Sequence, residues 1–262
     1  MLRITSRQNP RLRDAARLVA SARDRRKAGR CVLEGEHLVE VYGERVGAPE
    51  TLVVAEPFLD RPGVAALARR FDDRTLVVPN ALFHEMAVLP AEVGVLAVVP
   101  APRLAVSPGR AFCLLLDDLQ DPGNVGSILR SAAAAGVEDV YLSRACAFAW
   151  APKVLRAGMG AHFHLAIHED IDLPDWAAAY RSRGGTVAVA VGRGGTDVYA
   201  AKLDRPLAVA IGNEGAGVAP ELLAAATVRV TIPMPGGMES LNAAAAAAVL
   251  LFEAVRRVRG IG

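Results

Sequence analysis

The chain has 262 residues, of which 52% are hydrophobic, enough for one large or two ordinary packed domains and too many for a disordered protein. It has no run of about 18 uninterrupted apolar residues and no apolar signal core at its N-terminus, so we expect neither a membrane protein nor an exported one. Its three cysteines, Cys31, Cys113 and Cys146, are far apart and outside any metal spacing. We therefore expect reduced, buried thiols in a cytoplasmic protein, and no metal site.

The small net charge of +2 is unevenly distributed along the chain. Residues 1–30 contain ten basic and two acidic side chains, a net charge of +8, so the remaining residues sum to −6. A basic end on a slightly acidic body is typical of a protein that binds a polyanion such as a nucleic acid. A solvated, arginine-rich helix face has the same composition, and that interpretation stays open at this point.

The first hundred residues alternate helical and strand patterns. Residues 10–27 interleave basic side chains with an apolar stripe, which predicts one amphipathic helix. Strands are predicted at residues 51–55, 75–79 and 94–99, with helices between them. This alternation indicates a small α/β domain over residues 1–100. The proline-spaced segment 101–110 is predicted to be a linker.

Residues 111–262 continue the β/α alternation with more apolar strands. Strands are predicted at residues 111–116, 139–143, 163–167, 186–191, 207–212 and 228–232. Helices are predicted at residues 124–135, 152–160, 173–182, 220–226 and from Ser240 to Arg259, with Asn124 and Ser240 as N-caps. Near-continuous apolar strands between helices predict a mainly parallel sheet covered on both faces.

Three loops follow strands of this sheet, at the carboxyl ends where ligands bind in such folds. They are Asp117 to Arg130, which runs into the helix predicted from Asn124, then Gly212 to Gly217, and Ile232 to Asn242. The second lacks the Lys-Ser/Thr of a P-loop and the G-x-G-x-x-G of a dinucleotide fold. Its Glu214 disfavours a phosphate and favours a neutral or cationic ligand. Taken singly, Arg130 could equally be a surface arginine, and the third loop a buried connection.

Together the loops resemble, in order and spacing, the three motifs of the SpoU (TrmH-like) RNA 2′-O-ribose methyltransferases of the SPOUT superfamily. The motifs are similar to Asn124-x-Gly126-x-x-x-Arg130, Gly212-Asn-Glu-Gly-x-Gly217 and Ile232-Pro-Met…Glu-Ser-Leu-Asn242. Residues 153–161 resemble a further family signature, in which Gly158 replaces the usual serine, and Ala244 is another departure. Residues 4–10 and 33–35 resemble the ribosomal-protein-L30e-like substrate-binding domain that many members carry.

The resemblance implies a C-terminal trefoil knot, S-adenosylmethionine bound among the knot loops, and a homodimer. It implies that the catalytic residues are Arg130, Asn124, Glu214, Ser240 and Asn242. It implies cofactor contacts from Gly212, Asn213, Glu214, Gly217, Ile232, Met234, Ser240 and Leu241. Arginine stays protonated at any accessible pH, so Arg130 is predicted to stabilise an oxyanion and position the ribose rather than to accept a proton.

The predicted function is therefore S-adenosylmethionine-dependent 2′-O-ribose methylation of RNA. The L30e-like segment favours ribosomal RNA, with transfer RNA as the alternative. A non-catalytic knotted RNA-binding protein in ribosome assembly, and an enzyme of the same knot that methylates a base, are further alternatives. The intact set of Asn124, Arg130, Glu214 and Asn242 disfavours both of them.

Overall fold

The computed structural model describes residues 1–87, 93–102 and 107–259 as an alternation of strands and helices. The strands are β1 Leu2–Arg3, β2 Arg30–Glu34, β3 Thr51–Ala55, β4 Thr75–Val78, β5 Val95–Pro100, β6 Phe112–Leu116, β7 Asp139–Leu142, β8 Ala166–His168, β9 Thr186–Ala190, β10 Thr196–Asp197, β11 Leu207–Ile211 and β12 Val228–Thr231. The helices are α1 Pro10–Ala20, α2 Ala22–Ala28, α3 Glu36–Arg45, α4 Pro62–Arg70, α5 Asn80–His84, α6 Pro122–Ala135, α7 Pro152–Gly158, α8 Leu173–Ser182, α9 Pro220–Ala224 and α10 Ala243–Val258. None of these helices is long and apolar enough to cross a membrane.

The chain divides into two compact units. Unit 1 contains the described residues of Met1–Arg103 and Trp150–Phe163, and unit 2 contains those of Leu104–Ala149 and His164–Gly262. The segment Trp150–Phe163, with α7, thus packs with unit 1, whereas the predicted division assigns it to the second domain. Of the predicted linker, residues 103–106 lie outside the described residues.

Unit 1 is built on a mixed five-stranded sheet in the order β1-β4-β3-β5-β2. β1, β4 and β3 are parallel, and β5 runs antiparallel to both β3 and β2. α7 packs on β2, and the ring of Phe163 meets that of Tyr42 edge-on, with 5.3 Å between centroids. The segment Trp150–Phe163 therefore packs as part of unit 1.

The single helix predicted over residues 10–27 is wrong, because the chain breaks at Ser21. Ser21 has extended backbone angles, ends α1, and caps α2 by accepting a hydrogen bond from Asp24 N at 3.1 Å. Arg25 is buried, and its guanidinium donates to the last carbonyls of α1, Leu18 O at 2.6 Å and Val19 O at 2.8 Å. The break is stable because side chains satisfy both new helix ends.

Unit 2 is built on a seven-stranded sheet in the order β10-β12-β9-β11-β6-β7-β8, and every described pairing in it is parallel. The prediction of a mainly parallel sheet is confirmed. On β6, Leu115 packs with α8 and α9, while its neighbour Leu114 points to the opposite face and is also fully buried. Helices therefore cover both faces, and α10 packs on α6 and β11. The trefoil knot stays a prediction.

A buried polar cluster lies around Asp139, the first residue of β7 in unit 2. Asp139 is only 1% exposed, and it accepts hydrogen bonds from Arg110 Nε at 2.8 Å and from His168 Nε2 at 3.3 Å. Ser107 Oγ lies 2.6 Å from the Tyr141 hydroxyl. Burial opposes ionisation, but the hydrogen bonds from Arg110 and His168 outweigh it and hold the pKa of Asp139 below its ordinary value.

Replacing Asp139 with asparagine is expected to lower the free energy of unfolding at pH 7 by about 2 kcal/mol. The asparagine side chain carries no negative charge to pair with Arg110. Its NH2 group also faces side chains that themselves donate hydrogen bonds. The pKa of Asp139 is lower in the folded protein than its ordinary value. The stabilisation by wild-type Asp139 is therefore present above the ordinary aspartate pKa and is lost as the pH falls through the pKa of the folded state. Urea unfolding at pH 7 and pH 3 measures this. The exposed Asp170→Asn is the control, and equal losses in both variants would contradict the expectation.

Candidate active site

The three predicted loops meet at the carboxyl edge of the unit 2 sheet. The first follows β6, the second follows β11, and the third follows β12. β6 and β11 are neighbours in the sheet, and β9 separates β11 from β12. The parallel topology therefore brings together segments that are far apart in sequence, such as Asn124 and Asn242, which are 118 residues apart.

The N-cap of α6 is Asp121 rather than the predicted Asn124. Asp121 Oδ1 accepts a hydrogen bond from Asn124 N at 2.7 Å, and the helix begins at Pro122. Because Asp121 satisfies the helix end, the Asn124 side chain is available for other contacts. Its Nδ2 donates to Glu214 Oε1 in the second loop.

The N-cap of α10 is Asn242 rather than the predicted Ser240. Asn242 Oδ1 accepts a hydrogen bond from Ala244 N at 2.9 Å, and its Nδ2 donates to Asn124 Oδ1 at 2.9 Å. One amide thus caps the last helix and contacts the first loop. The hydrogen-bond chain Asn242–Asn124–Glu214 joins all three loops, and we call it the amide relay.

The second loop is closed by its own side chains and backbone. Asn213 Oδ1 accepts hydrogen bonds from Gly215 N at 2.9 Å and Ala216 N at 3.2 Å, and Asn213 Nδ2 donates to Asp118 O at 3.0 Å. A Cβ on Gly212 would lie 2.2 Å from the backbone carbon of Gly217. Only glycine fits at position 212, because the two ends of the loop are in backbone contact.

A cavity of about 330 Å³ opens between the second and third loops, within the size range of small-molecule sites. All eight predicted cofactor residues line it: Gly212, Asn213, Glu214, Gly217, Ile232, Met234, Ser240 and Leu241. The charged side chains among the described lining residues are Glu214 and Glu239. Its electrostatics therefore suit a ligand that carries positive charge.

The remaining predicted catalytic residues lie outside the cavity lining. Asn124 and Asn242 are connected to the lining residue Glu214 by the hydrogen bonds of the amide relay. Ser240, another predicted catalytic residue, is itself in the lining. Arg130 is on α6, which places it about 9 Å further along the helix axis than Asn124 and about one and two-thirds turns around that axis. It is exposed and has no hydrogen bond or ion pair with a described residue.

The cavity also has a wall that the sequence analysis did not assign. Ala190, Val191 and Gly192 line it from the end of β9. The sequence signal for this wall is an apolar strand that ends in glycines, at Gly192-Arg-Gly-Gly195. The second loop has the same signal. Among the described residues, no group of three His, Cys, Asp or Glu side chains is placed to hold a metal ion.

Many of the basic side chains of residues 1–30 already have partners within unit 1. Arg25 is buried, Arg11 donates to a backbone carbonyl, and four others form ion pairs with acidic side chains: Arg3 with Glu56, Arg7 with Glu85, and Arg17 and Arg30 with Asp14. Arg13, Arg23 and Lys27 are exposed and have no described partner. These three side chains on α1 and α2 are thus basic residues of the segment that have no acidic partner among the described residues.

The fold and the site together define an α/β protein with a small-ligand cavity at the carboxyl edge of a parallel sheet. Residues 111–252 match the SpoU rRNA Methylase family. The chain is 30% identical over 256 residues to the 23S rRNA (guanosine(2553)-2'-O)-methyltransferase RlmP of Bacillus subtilis, covering 96% of this chain and 98% of that protein. It is 32% identical over 266 residues to the 23S rRNA (uridine(2479)-2'-O)-methyltransferase of Streptomyces viridochromogenes, covering 97% and 92%.

Solved structures agree with this match over nearly the whole chain. The SpoU methyltransferase AviRb from Streptomyces viridochromogenes, in complex with the cofactor AdoMet, superposes with a TM-score of 0.83 at 29% identity, covering 97% of this chain and all of that one. A putative RNA methyltransferase of the TrmH family from Porphyromonas gingivalis gives 0.84 at 30% identity, covering 97% and 99%.

The chain belongs to the SpoU rRNA methylase family. The family predicted from the three motifs is confirmed, and so is the predicted class of enzyme, an RNA methyltransferase dependent on S-adenosylmethionine.

Proposed function

We propose that this protein transfers a methyl group from S-adenosylmethionine to a ribose 2′-oxygen of ribosomal RNA. The observation that carries the proposal is the amide relay of Asn242, Asn124 and Glu214, which joins the three motif loops beside the cavity. The two relatives named above, which match nearly the full chain, are both described as 23S rRNA 2'-O-methyltransferases. Their substrate class supports ribosomal over transfer RNA.

The cavity residues fit S-adenosylmethionine. Glu214 and Glu239 attract the positive charge of a sulfonium or ammonium group. Ile232, Met234 and Leu241 supply apolar surface, and the glycines of the second loop expose backbone donors and acceptors. When bound, the cofactor supplies an electrophilic methyl carbon on sulfur.

The chain's own residues then hold the reacting oxygen in place. We assign Arg130 to the ribose and its adjacent phosphate, where a protonated guanidinium stabilises the alkoxide that develops as the 2′-hydroxyl gives its proton to solvent water. The amide relay fixes Glu214 at the cavity, and Ser240 offers a hydroxyl on the same lining. Alignment of the ribose oxygen with the methyl carbon is the main catalytic contribution of such a site.

Unit 1 contributes substrate binding in this proposal, as a ribosomal-protein-L30e-like domain. Arg13, Arg23 and Lys27 are exposed cations of its first two helices, and they would contact RNA phosphates without reading sequence. We place the protein in the cytoplasm, because its three cysteines are free and buried, as is common where thiols stay reduced.

We also propose a homodimer formed through α10 and its surroundings in unit 2. Phe252 and Val258, both on α10, are 47% and 54% exposed, so this helix presents two large apolar side chains at the surface. Small side chains from Ala243 to Ala248 on the same helix allow close approach of a second copy. The predicted dimer thus has an apolar anchor on the surface.

Phe252→Asp is expected to convert the dimer to a monomer, since a charge would be buried against the second copy. Light scattering after size exclusion should change from twice the 27.5 kDa chain mass to that mass. Val46→Asp, an exposed apolar residue of unit 1, is the control and should leave the mass unchanged. A wild-type protein that is already monomeric would contradict the proposal.

The proposed reaction is tested with methyl-labelled S-adenosylmethionine and separate pools of unmodified ribosomal and transfer RNA. Label in a 2′-O-methylnucleoside of the ribosomal pool is the expected result. Label in the transfer RNA pool alone would replace the substrate, and label in a base would replace the acceptor atom. Neither incorporation nor cofactor binding would leave a non-catalytic RNA-binding protein.

A further inference from the structure

Arg193 is presented at the rim of the cavity by a loop that is otherwise glycine. Gly192 lines the cavity, and Gly194 and Gly195 complete the loop. Gly195 N donates to Thr231 Oγ1 at 2.9 Å, and a Cβ on Gly195 would lie 2.9 Å from the backbone nitrogen of Thr231. The base of the loop is therefore packed against β12, and Arg193 is its one long side chain. Arg193 is exposed and has no described partner.

Arg144 is presented by a tight turn at the end of β7. Cys146 N donates to Ser143 O at 3.1 Å and closes the turn, so Arg144 occupies one of its two central positions. Ser143 Oγ accepts from Asp118 N at 3.0 Å, and Cys146 Sγ lies 3.1 Å from Leu116 O. The turn is thus anchored on both flanks, while Arg144 itself is exposed and without a described partner.

The two arginines lie on opposite sides of the site along the sheet edge. The strand order there is β9, β11, β6, β7, with Arg193 after β9, the cavity loop after β11, the Asn124 loop after β6, and Arg144 after β7. Neighbouring strands are about 4.8 Å apart, so the strands that carry the two arginines are separated by about 14 Å. A strand of RNA whose ribose enters the site would cross this distance.

The electrostatics of the site require cations at these positions. Glu214 and Glu239 in the lining suit a positively charged cofactor, but together with the half-buried Asp118 and the exposed Asp121 they repel an RNA backbone. We propose that Arg144 and Arg193 bind backbone phosphates upstream and downstream of the phosphate assigned to Arg130, and so offset this repulsion. Guanidinium groups suit this role because they bind phosphate oxygens in a bidentate manner. The inference rests on the proposed RNA methyl transfer and adds the path of the substrate across unit 2.

The test is the salt dependence of RNA affinity for the double variant Arg144→Ala/Arg193→Ala. The probe is a fluorescent transcript of unmodified large-subunit ribosomal RNA, titrated with the full-length protein at several salt concentrations. Each lost phosphate contact with a single strand reduces the slope of log affinity against log salt by about 0.7, so we expect a reduction of about 1.4 for the two contacts. Affinity for S-adenosylmethionine, measured by calorimetry without RNA, is expected to stay at the wild-type value.

Lys202→Ala is the matched control. Lys202 is also exposed and unpaired among the described residues of unit 2, but it precedes β11 and so lies at the opposite edge of the sheet. For this variant, the slope of log affinity for RNA against log salt should equal that of wild type. An unchanged slope in the double variant would overturn the inference and leave the proposed reaction standing. A wild-type protein that binds the probe but transfers no methyl group would contradict the reaction, while the slopes still decide whether Arg144 and Arg193 contact phosphate.

Discussion

Replacing Arg130 with alanine is expected to lower the rate of methyl transfer to RNA by about 10²–10³-fold and to leave the affinity for S-adenosylmethionine unchanged. The size of the loss is that of removing one preorganised donor from a developing oxyanion. Cofactor affinity is expected to persist because Arg130 is not among the residues that line the cavity. The fold should also persist, because the side chain is exposed and has no described partner.

Single-turnover methyl transfer and calorimetric titration of the cofactor measure the two quantities separately. Arg130→Lys keeps the charge but loses the planar pair of donors, so it should recover only part of the rate. Arg259→Ala, at another exposed arginine of unit 2, is the control for loss of one positive charge. If Arg130→Ala weakened cofactor binding as much as methyl transfer, the assignment of Arg130 to the RNA ribose would be wrong.

Replacing Gly212 with alanine is expected to weaken binding of S-adenosylmethionine by about 10–100-fold. The new Cβ would lie 2.2 Å from the Gly217 backbone carbon and 2.4 Å from Val218 N, so the two ends of the loop must separate. Overpacking of this kind costs about 1–3 kcal/mol. The distortion falls directly on the lining of the cavity, and we expect methyl transfer at low cofactor concentration to fall with affinity.

Gly236→Ala is the matched control for this substitution. Gly236 lies in the third loop, a Cβ there meets nothing within 4 Å, and the residue is outside the cavity lining. Its cofactor affinity should be that of wild type. Circular dichroism and thermal unfolding should show that Gly212→Ala is still folded. Wild-type affinity in a folded Gly212→Ala protein would show that the cofactor binds elsewhere.

The positions of the loops could be predicted from the sequence because each follows a short apolar strand and contains residues that mark strand ends. Gly212 to Gly217 and the Pro-Gly segment after Ile232 are local signals of this kind. Near-continuous apolar strands between helices then predict a parallel sheet, and a parallel sheet places successive loops at one edge. The resemblance of the loops to three family motifs added the cofactor and the reaction.

The hydrogen-bond partners of the side chains in those loops could not be predicted, because several of these residues are also able to cap a helix. Asn124 and Ser240 both have the residue type of an N-cap. In the structure Asp121 and Asn242 are the caps, which leaves Asn124 free to contact Glu214. The competition depends on which backbone N–H groups lie within reach, and that distance is a property of the folded loop.

The assignment of residues to the two units likewise depends on packing. The segment Trp150–Phe163 is continuous with unit 2 in sequence but packs with unit 1, and nothing in its periodicity distinguishes the two. Periodic apolar patterns show that a face is buried, whereas only the folded chain shows against which element. The sequence by itself thus specified the parallel sheet and, through its resemblance to three family motifs, the family and eight of the residues that line the cavity. The tertiary structure decided the amide relay, the position of Arg130 outside the lining and the placement of Arg144 and Arg193 on either side of the site, because each of these depends on strand order and on contacts between distant loops.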